Sequence, residues 1–147
     1  VGRGAGVDRG VTHLVILDNE AVGALASADH PKHRRAIAHT QVVATRRRRA
    51  ATTVLVVPTS VRVEAGLDRT SSSAAFFGSM RIADVPLDTA AANTAAALRH
   101  DTGVSVADAH LGAVIATSDA DRITVLTSDP ADLATAAGAK AITIVRL

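Results

Sequence analysis

Cysteine, tryptophan and tyrosine are absent from the chain. Without thiols there is no disulfide, no thiolate nucleophile and no cysteine-held zinc or iron–sulfur centre. The only phenyl rings belong to Phe76 and Phe77. Recognition that stacks nucleobases on rows of rings, as RNA-recognition sheets and OB-folds do, is therefore disfavoured. No apolar run approaches the ~20 residues that span a bilayer. The Gly- and Arg-rich start, Val1 to Gly10, also lacks the apolar middle of a signal peptide. These absences lead us to expect a soluble, cytoplasmic protein. Nucleotide and hydrolase motifs are missing as well. There is no G-x-S-x-G elbow and no Walker A loop. Gly2, Gly4, Gly6 and Gly10 precede the first strand and lack dinucleotide-fingerprint spacing.

What remains is an aliphatic globular chain. Its 147 residues fit one domain with one core, and 48% of them are apolar. Residues 1–11 read as a flexible leader and 12–147 as the domain. The net charge is only +2, but many of the basic residues fall between Lys32 and Arg49 while the acids are scattered. Such clustering favours a polyanionic partner more than the total does.

Apolar runs alternate with helical patterns. Thr12–Leu17, Thr53–Val57, Arg81–Val85, Arg122–Thr127 and Ala141–Val145 read as strands, the second and third closed by Pro58 and Pro86. Between them lie a helix from Asn19 to Ser27 and a second opening at Pro31 and running to the arginines at 46–49. A third contains Val61, Val63, Glu64 and Leu67, capped by Thr59 or Ser60. Phe76 and Phe77 sit on a short helix. Asp88 caps a long Ala-rich helix that Gly103 ends. Val106–Thr117 follows, with Val106, Leu111, Val114 and Ile115 as core positions, and Pro130–Ala137 reads as a last short helix. This alternation specifies an α/β fold with a central parallel sheet and helices on both faces.

The first strand, Leu14-Val15-Ile16-Leu17, stops at Asp18, and Arg122–Thr127 is followed by Asp129. The carboxyl ends of parallel strands share one edge, where open α/β sheets bind ligands. Glu64 and Asp108 sit at or near the first turns of helices that begin on that edge, each among apolar neighbours that would leave it partly buried. Two carboxylates ~5 Å apart cost about 3 kcal/mol at an effective dielectric of about 20. A fold keeps such a cluster only if protons or a cation neutralise it. An all-oxygen site suits Mg²⁺ or Mn²⁺, which activates water and offsets charge on a phosphodiester. A lone acid at a helix start is more simply a cap, and Asp29, Asp88 and Asp132 fit that class. Four acids on one edge favour the metal reading.

These segments resemble the PIN-domain family, and within it the VapC-like ribonuclease toxins of type II toxin–antitoxin systems. The resemblance rests on the order Leu17-Asp18, Val56-Val57-Pro58 with Val63-Glu64, Leu98-Arg99 with Gly103 and Val106-Ala107-Asp108-Ala109, and Val125-Leu126-Thr127-Ser128-Asp129. It implies a PIN-like three-layer α/β/α sandwich with a central parallel sheet of four to five strands. It also implies a Mg²⁺-dependent (or Mn²⁺-dependent) endoribonuclease whose catalytic and metal-holding acids are Asp18, Glu64, Asp108 and Asp129. Asp18 and Asp108 would hold the metal most directly, with Asn19 and Thr127 orienting the acids by hydrogen bonds. Where family members often carry Ser or Thr after the first acid, this chain has Asn19. The resemblance further implies a homodimer, and a cognate antitoxin whose tail blocks the acidic pocket.

Arg46, Arg47, Arg48 and Arg49 are the candidate RNA-binding residues. Arg34, Arg35 and Arg62 are weaker ones, and a solvated helix end is the plainer account of the block. His30, His33 and His39 lack a partner acid at metal-ligand spacing, and His110 points away from Asp108 on its helix. Two other readings stand beside the toxin: a housekeeping RNA-processing nuclease, and a catalytically silent PIN-like module that binds RNA or protein.

Overall fold

The computed structural model describes residues 13–49, 52–127, 130–131 and 142–147, with the side chains of 47–49 also outside the description. The leader, Asp129, Asp132 and most of the last expected helix lie outside the described residues.

The chain runs β1 (His13–Leu17), α1 (Asn19–Ala26), α2 (His33–Arg49), β2 (Thr53–Pro58) and α3 (Thr59–Ala65). After a 3-10 turn at Ser72–Ala74 come α4 (Ala75–Ser79), β3 (Ala83–Val85), α5 (Thr89–Thr102), α6 (Val106–Thr117), β4 (Arg122–Thr127) and β5 (Thr143–Arg146). The sheet has five strands in the order β3-β2-β1-β4-β5, all parallel. Helices cover it to give a three-layer α/β/α sandwich, as expected. β1 is the middle strand and every residue of it is buried. Ile16 pairs with Val56 on one side and Val125 on the other. That two-sided burial is why the run reads as continuous apolar sequence and not as an alternating one.

The chain leaves β1 toward β2 and β3, then crosses to β4 and β5. The strand order therefore reverses between β1 and β4, a topological switch point where a crevice opens beyond the carboxyl ends. Below it, β1, β2 and β4 share one core with Val22, Leu111, Ile115 and Phe77. Phe77 is fully buried, edge-on to Phe76 at 6.2 Å. Both rings thus serve packing.

Several boundaries differ from the sequence reading, each for a local reason. β3 is three residues long, because the chain before it turns through Arg81 at φ 53°. α3 ends at Ala65, where Gly66 adopts φ 70°, so Leu67 packs from beyond the helix. Neither Thr59 nor Ser60 caps α3. Pro58 holds the cap position, and Thr59 Oγ1 instead accepts the Leu87 N–H at 3.1 Å. α2 starts at His33, with His30 Nδ1 accepting the Lys32 N–H at 3.0 Å just before it. Val106, expected in the core, opens α6 at 52% exposure. The caps of α5 follow expectation: Asp88 accepts from the Ala91 N–H, and Gly103 closes the helix at φ 72°. No described helix is long and apolar enough to cross a membrane.

Candidate active site

Asp18 is both the residue after β1 and the N-cap of α1. Its backbone N–H donates to the Leu126 carbonyl at 3.2 Å, which fixes it across the switch point from β4. Its Oδ1 accepts the Ala21 N–H at 3.0 Å. The hydroxyl of Thr127, the last residue of β4, donates to the same carboxylate. Only 7% of Asp18 is exposed. Burial pushes its pKa above the usual carboxylate range. The Thr127 and Ala21 donors pull it down, while the charges of Asp108 and Glu20 add to the rise. A buried carboxylate beside other carboxylates is a group that gains from a proton or a cation.

Asp108 comes from a separate part of the chain. Ser105 caps α6, its hydroxyl accepting the Asp108 N–H at 3.1 Å. That places Asp108 in the first turn, half-buried, where the helix dipole favours a negative charge. α6 packs on α3, and α3 on α1. The charge of Asp108 reaches Asp18. These two expected acids are thus within electrostatic range of each other.

Glu64 is placed differently. It lies in the last turn of α3 and is exposed. Partial burial among Val61, Val63 and Leu67 does not occur, because Val63 faces solvent at 81% exposure while Val61 turns inward. Among the described residues no three of His, Asp and Glu converge as a metal-binding group, and Asp129 is outside them. Asn19 is exposed on the first turn of α1. Thr127 is buried and does contact Asp18. Glu20 was not singled out in the sequence, yet it adds to the field at Asp18. It also pairs with His30 at 3.4 Å and Lys32 at 3.9 Å. The adjacent run Asp18-Asn19-Glu20 was the available signal.

A residue that the sequence reading set aside braces α6 against α3. His110 is fully buried on α6. Its Nδ1 faces the Ser60 N–H at 3.3 Å and the Ser60 hydroxyl at 3.0 Å, and so takes up a donor at the start of α3. Burial lowers its pKa, against the raising effects of the Pro86 carbonyl and Asp88. The imidazole is held neutral by its place as an acceptor, and it locks α6 to α3.

The basic block occupies the opposite edge. Arg46–Arg49 form the end of α2. Arg46 is exposed and lies near His13 and Arg122, the first residues of β1 and β4. The five residues of β1 separate that edge from Asp18 by about 17 Å.

Compared with known protein families and with curated proteins, the chain matches none. Two carboxylates and a hydroxyl, all hard oxygen donors, suit a cation such as Mg²⁺, which binds through one or two carboxylates and keeps several waters. Asp18 and Asp108 are the residues that could hold it.

Proposed function

We propose that the chain is a Mg²⁺- or Mn²⁺-dependent endoribonuclease of the PIN-domain type, acting in the cytoplasm as the toxin of a toxin–antitoxin pair. The observation that carries this reading is the buried Asp18 at the switch point, with the charge of Asp108 acting on it from a distant segment. Asp18 and Asp108 would hold the cation. When bound, that cation would activate water and offset charge on the scissile phosphodiester. The protein's part is to fix the acids. The Ala21 N–H and the Thr127 hydroxyl orient Asp18, and the Ser105 cap sets the turn that presents Asp108. Asp129 belongs to the same proposal through its place after β4. Glu64 belongs to it through the resemblance alone. An antitoxin segment covering the acidic crevice, and a second copy forming a dimer, complete the proposal. The arginines of α2 would meet RNA only where the strand extends around the molecule from the crevice.

The exposure of Glu64 favours one rival, a silent module with the same fold that binds RNA or protein without cutting it. The two separate cleanly. Purified wild type and Asp108→Asn are incubated with single-stranded RNA in Mg²⁺ and in chelator. Asp108→Asn keeps the backbone N–H that Ser105 caps, so the fold survives. The nuclease reading expects Mg²⁺-dependent cleavage that falls about a hundredfold or more in the variant. Equal cleavage by both proteins, or none by wild type, removes it.

A further inference from the structure

A cavity of about 260 Å³ lies along one face of the sheet, between α2 and strands β1, β4 and β5, with its cationic groups at the strand starts. Arg46 and His39 reach it from α2, His13 from β1 and Arg122 from β4. Thr124 and Thr143 add hydroxyls, and Val15, Leu126 and Val145 form an apolar floor. No carboxylate lines it among the described residues. Neither Arg46 nor Arg122 forms an ion pair with a described residue.

The buried histidine in its lining records the local field. His13 is 5% exposed. Its Nδ1 lies 3.3 Å from the Arg122 guanidinium and its Nε2 2.8 Å from Thr124 Oγ1. A guanidinium only donates, so Nδ1 accepts, and the ring is neutral with its proton on Nε2. Burial lowers the His13 pKa, and the charges of Arg122 and then Arg46 lower it further. Two cations from different elements thus act on one spot, with no anion among the described lining residues to balance them.

We infer that this cavity binds a small phosphate monoester, its phosphate held between Arg46 and Arg122 and its body laid on the apolar floor. Guanidinium groups match phosphate oxygens in geometry and charge. The volume is below the usual ~300–1,000 Å³ of pockets for drug-sized ligands, which points to a monoester no larger than a single nucleotide. The inference does not rest on the nuclease reading, since Arg46 and Arg122 lie at the strand starts and Asp18 follows the end of β1.

The test uses the full chain in chelator, which silences any metal-dependent phosphate binding at Asp18. Inorganic phosphate and adenosine monophosphate are titrated separately while the His13 ring nitrogens are followed by NMR. Saturable shifts at His13 are expected with both, and tighter binding of the nucleotide would identify a ligand with a body. Arg122→Gln and Arg46→Gln, both at exposed positions, should each weaken binding about tenfold or more with unchanged melting curves. The inference is overturned if His13 responds no more than to chloride at matched ionic strength. It also fails if neither variant alters affinity, or if RNA without a terminal phosphate displaces the nucleotide equally well.

Discussion

Asp18 serves two roles that oppose each other. As an N-cap it satisfies an orphan N–H of α1, worth about 1 kcal/mol. As a buried carboxylate in the field of Asp108 and Glu20 it is costly to keep ionised. Its folded pKa lies above the ordinary carboxylate value, so the folded chain holds a proton that the unfolded chain would release. That contribution is complete below the unfolded pKa and is lost as pH rises through the raised folded one. In chelator, wild-type melting temperature should therefore fall across that window. Asp18→Asn removes the charge and keeps a good N-cap, so at about pH 8 it should melt higher than wild type, with the gap closing in acid. Melting curves over pH check this, and a variant that melts lower at neutral pH speaks against it. The identity of Asp18 was legible because a strand buried on both faces stops there at an acid. The outward turn of Glu64 was not. α3 has seven residues, too few for periodicity to fix which face points inward.

Among the elements, β3 is held largely from outside its own sequence. It pairs with β2 through only Ala83, Asp84 and Val85. Asp84 accepts Arg62 Nε at 2.9 Å and Arg69 at 3.3 Å, and Arg69 also donates to the Ile82 carbonyl at 2.7 Å. One carboxylate therefore ties α3, the following loop and the edge strand together. Asp84→Ala should cost about 1 kcal/mol, since its side chain is 34% exposed and solvent screens the pair. Hydrogen exchange should quicken in β3 while β1 and β4 keep their protection. Uniform quickening across the sheet would show that Asp84 supports the whole fold and not its edge. The elements that read correctly from sequence, β4, α6 and the two ends of α5, carry their own apolar runs and caps. The start of α3 did not, because the group that meets Ser60 is His110, supplied from another helix.

For the whole molecule, parallel strands sort chemistry by end. Acids gather where strands finish, at Asp18 with Asp108, and cations where they begin, at Arg46 and Arg122. The alternation of strand and helix was enough to derive the layered fold and to place Asp18 and Asp108 on one edge. It was not enough to place α2's arginines, because a helix that leads back to the next strand ends at the opposite edge. The central claim is that Asp18 and Asp108 jointly hold a divalent cation, and Mn²⁺ binding to wild type, Asp18→Asn and Asp108→Asn, read by electron paramagnetic resonance, tests it most directly. Saturable Mn²⁺ binding that weakens about tenfold or more in each variant is the predicted result. Wild type that binds no Mn²⁺, or either variant binding as tightly as wild type, would contradict it.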